Sequence, residues 1–148
     1  MQAQATTSLA EPAALTPDLL LRSEDRLRDV IEGAQVGTWT WNFDTVQQVV
    51  NDVWAGMLGY DLLDLQPVTY DTWDRMLHPD DAPMVEAEIQ RCIRGEADFY
   101  EAEYRLRHRA GHFIWVLDRG RVVRRHADGA PKLMAGIQIE ISELKSRE

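Results

Sequence analysis

The sequence predicts an α+β fold: a five-stranded antiparallel sheet with short helices between strands two and three, preceded by an N-terminal amphipathic helix. Three observations predict it. Residues 37–50 alternate like a hairpin, residues 100–141 alternate like a three-stranded meander, and the stretch between them carries helical spacing and helix-start signals. At 148 residues the chain can bury one sizeable core, and its 45% hydrophobic and 28% charged content is ordinary for a globular domain.

Residues 1–15 are rich in Ala, Gln, Thr and Ser and are expected to be disordered. Thr16 then stands as an N-cap, with Pro17 at the first helical position and Asp18 beside it. Leu20, Leu27 and Ala34 fall seven apart, Val30 lies between the last two, and Leu21 and Ile31 widen the stripe. The spacing predicts an amphipathic helix over 16–35, ending near Gly33. Leu20, Leu27, Val30 and Ile31 are its dimerisation candidates, and packing on its own domain is the other use of the same face.

In "GTWTWNF", Trp39, Trp41 and Phe43 alternate with Thr38, Thr40 and Asn42; "VQQVVND" follows a tight Asp44-Thr45 turn. "NDVWAGMLGYDLLDL" and "TYDTWDRML" read as short helical pieces. In "RMLHPDDAPMVEAEIQRCI", Pro83 is tolerated only in a first helical turn, so a helix starts near residues 79–81 with an Asp as cap. Val85, Ile89, Cys92 and Ile93 form its apolar stripe. "FYEAEYRLR" alternates Tyr100, Ala102, Tyr104 and Leu106 against Glu101, Glu103, Arg105 and Arg107. "HFIWVLDRGRVV" is apolar on both faces through its middle, as a covered strand is. Asp128-Gly129 signals the next turn, "KLMAGIQIEI" is the last strand, and "SELKSRE" starts a helix with Ser142 as its cap. A chain ending two turns into a helix reads as a segment cut from a longer protein.

The net charge of -9 disfavours nucleic-acid and anionic-membrane binding, which need a basic footprint. No apolar run nears the roughly 20 residues of a membrane span, and no secretory signal is present. One cysteine, Cys92, allows no internal disulfide, consistent with a cytoplasmic location. His78, Asp80 and Asp81 lack a second histidine at metal-ligand spacing, so no metal is expected. Neither a nucleophile–base constellation nor a Gly-rich phosphate loop appears, and no catalysis is expected. Five tryptophans are many for this length; core packing is their ordinary use, and stacking on a planar ligand is the other. Along the last strand, Leu133, Ile137, Ile139 and Ile141 lie on one face and Met134, Gly136, Gln138 and Glu140 on the other. If Gln138 faces inward, the isoleucines face outward and need a cover.

Six segments in this order resemble a PAS domain with its C-terminal PAC segment: "GTWTWNFDT", "NDVWAGMLGY", "TYDTWDRMLHPDD", "YRLRHRAGHFIWVLDRGRVV" (two strands) and "GIQIEIS". The resemblance covers residues 36–141 as the domain and 142–148 as the start of a signalling helix. It implies a sensory and dimerisation module, a pocket between sheet and helices, and an effector of histidine-kinase or diguanylate-cyclase type beyond residue 148. The pocket candidates are Trp73, Met76, Tyr104, Trp115, Met134 and Gln138. Glu140, Ile141 and Ser142 stand where the family has Asp-Ile-Thr and are the relay candidates. A homodimer through the N-terminal helix and the sheet's outer face is the expected partner. No cofactor is the expectation, with a ligand-free scaffold and a flavin-binding redox sensor as alternatives. Gln138 matches the family's flavin-facing Gln, but "TWDRML" lacks the photoreactive cysteine and Val116 replaces an Asn. Heme is disfavoured, because His78, His108, His112 and His126 fall at helix starts, strand ends or turns.

Overall fold

A computed structural model of the protein describes residues 16–148. The expected disorder of 1–15 lies outside the described residues. The chain divides into two compact units: residues 1–34, whose described part is one helix, and residues 35–148, which hold the sheet.

Helix α1, Pro17–Gly33, starts as its sequence requires. The Thr16 hydroxyl accepts from the Leu19 backbone N–H at 3.1 Å, and Pro17 occupies the first turn. None of its residues is buried, and Leu20, Leu27 and Val30 are exposed.

In the second unit, strands β1 (Gly37–Asn42) and β2 (Gln47–Val50) form the hairpin. Phe43 and Val46, expected in the strands, belong to the turn instead, and Val46 adopts a positive φ of 59°. Asn42 explains the wider loop: its side-chain oxygen accepts from the N–H groups of Asp44 and Thr45, closing the turn locally. Helices α2 (Asp52–Met57), α3 (Leu62–Leu65), α4 (Tyr70–Met76) and α5 (Ala82–Ile93) follow. Strands β3 (Tyr100–Arg107), β4 (Phe113–Arg125) and β5 (Pro131–Glu140) complete the sheet, and α6 (Ser142–Ser146) leaves it. The sheet order is β2-β1-β5-β4-β3, with antiparallel neighbours throughout. First and last strands therefore meet at the centre, and helices α2–α5 pack on one face.

Two capping expectations need correction. Asp81 holds the cap position of α5, but its carboxylate makes no cap bond. It accepts instead from the Arg105 backbone N–H at 2.8 Å and from the guanidinium at 3.0 and 2.8 Å. Those bonds hold Asp81 below the usual carboxylate range. A bidentate pair with Arg105 outcompetes a single cap bond, and the junction ties α5 to β3. Ser142 is the first residue of α6, not its cap; Ile141 precedes it as the N-cap. The Ser142 hydroxyl accepts from the Trp115 N–H at 3.0 Å.

The inner face of the sheet carries Val50, Tyr100, Ala102, Tyr104, Leu106, Ile114, Val116 and Met134, packed on Trp54, Leu58, Trp73, Val85, Ile89 and Cys92. Gln138 is completely buried, so the conditional expectation for β5 applies: Ile137 is exposed on the outer face and Leu133 and Ile139 are half-buried there. Ile141 departs from that pattern and is buried.

Candidate functional site

The site is built on β4 and its neighbours. Along β4 the inward positions are Ile114, Val116, Asp118 and Gly120. Ile114 and Val116 are core residues of ordinary kind; Asp118 is a carboxylate with 4% of its surface exposed. Three side chains meet it. The Trp39 indole N–H donates to its Oδ1 at 2.7 Å. The Tyr104 and Tyr100 hydroxyls donate to its Oδ2 at 2.8 and 3.2 Å. Register explains the convergence, since Asp118 lies opposite Ala102 on β3, between Tyr100 and Tyr104, and opposite Gln138 on β5. Burial pushes the Asp118 carboxyl up to about 6, against the lowering effect of these donors. The two tyrosine hydroxyls are pushed far above their ordinary range by burial and by the neighbouring carboxylate.

Tyr104 extends the network. Its oxygen accepts from the Trp73 indole N–H at 2.9 Å and lies 3.3 Å from the Gln138 amide oxygen. The Gln138 amide nitrogen lies 3.7 Å from the Met57 sulfur. Trp39 lies against Gly120 and Gly136, which face each other on β4 and β5. A Cβ built on Gly120 would stand 2.6 Å from the Trp39 ring, so the indole occupies space that only paired glycines leave open.

Between this layer and the helices lies a pocket lined by Trp39, Trp41, Gln48, Trp54, Tyr70, Trp73, Ile89, Asp118 and Gln138. Its cavity volume is about 30 Å³. Rings follow one another along it: Trp41 to Tyr70 at 5.0 Å, Tyr70 to Trp73 at 5.2 Å, Trp73 to Tyr104 at 6.0 Å. The Trp41 indole N–H is buried and has no hydrogen-bond partner among the described residues.

Of the residues expected at the pocket, Trp73 and Gln138 line it and Tyr104 sits directly behind them. Met134 is buried in the core. Two expectations are corrected. Trp115 is on the opposite face, because Val116 pairs with inward Tyr104 and alternation sends its neighbour outward. There its ring meets the Arg105 guanidinium at 5.0 Å and the Lys145 ammonium at 4.8 Å. Met76, the last residue of α4, lines a separate open groove with Tyr60, Arg75 and Arg107 instead. Asp118, Trp39 and Trp41 were missing from the pocket expectation. The signal available was a lone Asp in step with Val116, on the face that Tyr100 and Tyr104 share.

A flavin does not fit these residues. The cavity of about 30 Å³ takes a group of a few atoms, whereas cofactor pockets run to roughly 300–1,000 Å³. No cluster of three His, Cys, Asp or Glu able to hold a metal occurs among the described residues.

A sequence model described as the PAS fold matches residues 47–138, more than half of the chain. This chain belongs to the PAS family. The PAS domain is 30% identical over 124 residues to the sensor protein FixL of Bradyrhizobium diazoefficiens, covering 84% of this chain and 24% of that protein. It is 28% identical over 128 residues to a probable diguanylate cyclase, DgcE, of Escherichia coli, covering 85% of this chain and 11% of that one. Among solved structures, a sensory box histidine kinase/response regulator from Burkholderia thailandensis superposes with a TM-score of 0.72 at 28% identity, covering 82% of this chain and 88% of that one. The chain thus spans a quarter or less of these two curated relatives' length. It is a sensory module of the kind found in histidine kinases and diguanylate cyclases. No helix among the described residues is long and apolar enough to cross a membrane.

Proposed function

We propose that this PAS domain is the cytoplasmic input module of a longer histidine kinase or diguanylate cyclase, and that the state of the tryptophan-lined pocket is passed to the effector through α6. The observation that carries the reading is how α6 is fastened. Trp115, three residues from Asp118 on β4, donates its N–H to the Ser142 hydroxyl and accepts from the Ile141 N–H at 2.8 Å. Lys145 pairs with Glu103 of β3 at 2.7 Å and covers the Trp115 ring. The strands that hold Asp118 and Tyr104 inside therefore hold α6 outside. A shift in strand packing that loosens either bond set changes the population of docked α6.

Trp73→Phe removes one pocket donor. We expect backbone amides of 142–147 to exchange several-fold faster in hydrogen-exchange mass spectrometry, with the core strands still protected. Rates at 142–147 that stay the same while those around Trp73 rise would defeat the relay.

We propose that its partner is a second copy, a homodimer joined by α1 and the outer face of the sheet, a reading supported by the exposed Leu20, Leu27 and Val30 beside half-buried Ile31. Leu27→Glu should convert a dimer to a monomer in light scattering; a dimer of unchanged stability would exclude α1. A ligand-free interaction scaffold is the second reading, favoured by the small enclosed volume of the pocket.

A further inference from the structure

We infer that the cluster around Asp118 is a proton sensor: when Asp118 takes up one proton, its bond with Tyr104 reverses and the Tyr104 hydroxyl turns to donate to Gln138. The inference rests on the input-module reading and names the signal. It starts from a count of protons. Tyr104 has one hydroxyl proton and two acceptors in reach, Asp118 Oδ2 at 2.8 Å and Gln138 Oε1 at 3.3 Å. Its oxygen also accepts from the Trp73 indole N–H at 2.9 Å. With Asp118 ionised, the shorter, charge-assisted bond takes the proton and Gln138 keeps the longer contact. With Asp118 protonated at Oδ2, the carboxyl becomes a donor toward Tyr104. The Tyr104 oxygen then accepts from Trp73 and Asp118, and its own proton goes to Gln138. Trp39 still donates to Oδ1. One O–H bond forms at Asp118, no bond breaks in the protein, and the Tyr104 O–H rotates about its C–O bond. Each donor of the cluster has an acceptor in both states, so neither state carries the cost of an unmatched buried donor.

The groups facing Asp118 decide where the exchange occurs. β1 brings Trp39, β3 brings Tyr100 and Tyr104, and β5 brings Gln138. Met57 of α2 and Trp73 of α4 carry no charge. Tyr70 of α4 is pushed up to about 12 by burial, Glu86 and Asp74, so it stays neutral, as Tyr100 and Tyr104 do. Arg119, next on β4, pairs with Glu101 at 3.1 Å and is half exposed. No lysine, arginine or histidine is buried among the described residues. Asp118 is thus the one member of the cluster that changes charge near neutrality, with burial placing that change at about 6. The cavity of about 30 Å³ that Asp118 borders has room for a water, which gives the proton a way in.

The residue that gains the bond lies close to the output. Gln138 pairs with Asp118 on β4 and with Gly37 on β1, and three residues later the chain reaches Ile141, the cap of α6. The bond gained on protonation links β3 to β5 across β4, and β3 and β4 are the strands that hold α6.

The test is an NMR titration of the ¹³C,¹⁵N-labelled 148-residue chain between about pH 5 and 8. The Asp118 carboxyl carbon and the Gln138 side-chain amide should shift with one shared midpoint. Asp118→Asn, whose NH₂ stands in for the protonated oxygen, should hold the Gln138 signals at their low-pH position throughout. Gln138→Met removes the acceptor that the protonated state gains. It should lower the midpoint by about half to one pH unit, a three- to tenfold loss of proton affinity. An Asp118 carbon that does not titrate in this range, Gln138 signals that do not follow it, or a midpoint unmoved or raised in Gln138→Met would each overturn the sensor. The titration of the unaltered chain decides the matter even if a variant fails to fold. Shared titration, with exchange at 142–147 equal on both sides of the midpoint after correction for its intrinsic pH dependence, would uphold the sensor and defeat the relay alone.

Discussion

Asp118→Ala should lower the free energy of unfolding by about 3–5 kcal/mol in urea titrations at pH 7, because three buried donors lose their acceptor at once. Replacing a buried charge with an apolar group is often harmless when its partners go too. Here Trp39, Tyr100 and Tyr104 remain, each fixed by the core around it. A loss below about 1 kcal/mol would mean the three donors find other partners. The same carboxylate imposes a pH dependence of defined sign. Its folded value of about 6 lies above the unfolded value of about 3.9, so the folded state binds more protons between them. Stability from this group is therefore full below about pH 4 and falls as pH rises through about 6, by about 2–3 kcal/mol in all. Asp118→Asn should flatten that slope. Asp81 acts in the opposite sense: its lowered value contributes stability above about pH 4 that is lost as pH falls further. A wild-type profile with no decline from pH 4 to 6 relative to Asp118→Asn would show that Asp118 is not held protonated by burial.

Gly136→Ala has the next largest effect, a loss of about 2–4 kcal/mol. A Cβ there would overlap the Arg119 carbonyl oxygen and stand 2.5 Å from the Trp39 ring and 2.8 Å from the Gly120 Cα. Two of those obstacles are backbone in the middle of the sheet, so β4 and β5 must part there, and Trp39 is displaced from Asp118 as well. Near-UV circular dichroism should lose intensity together with the stability. Gly95→Ala is the comparison of opposite character: nothing lies within 4 Å of its added Cβ, and only its positive φ of 80° resists the change. If Gly136→Ala were no worse than Gly95→Ala, the glycine pair would not be what seats the indole.

The fold was legible where one face of an element meets water. β3 shows it best: Tyr100, Ala102, Tyr104 and Leu106 are buried and alternate with charged residues, so period and inward face come together. β4 resisted for the opposite reason. Its apolar residues lie on both faces, which hides the parity and placed Trp115 with the pocket when Val116 and Asp118 are the inward residues. A single acidic residue inside "WVLDRG" was the clue to that parity, because no solvated strand position needs two tyrosines and a tryptophan opposite it. Ser142 and Asp81 were read as caps because capping is the local use of such residues. Each was taken by a long-range partner, the Trp115 N–H and Arg105, that sequence proximity does not reveal. The orphaned Trp41 N–H had no sequence signal, since an unmade bond is visible only when every neighbour is in place.

The placement of Trp115 gives the molecule an optical property. The other four tryptophans line the pocket or the core, and this one lies on the far side of the sheet under Lys145, a residue of α6. An ammonium over an indole face changes the energy of its excited state, so undocking of the helix alters the colour of emission from one fluorophore alone. Subtracting the spectrum of Trp115→Phe isolates that component, and the unlabelled protein reports the position of its own output helix.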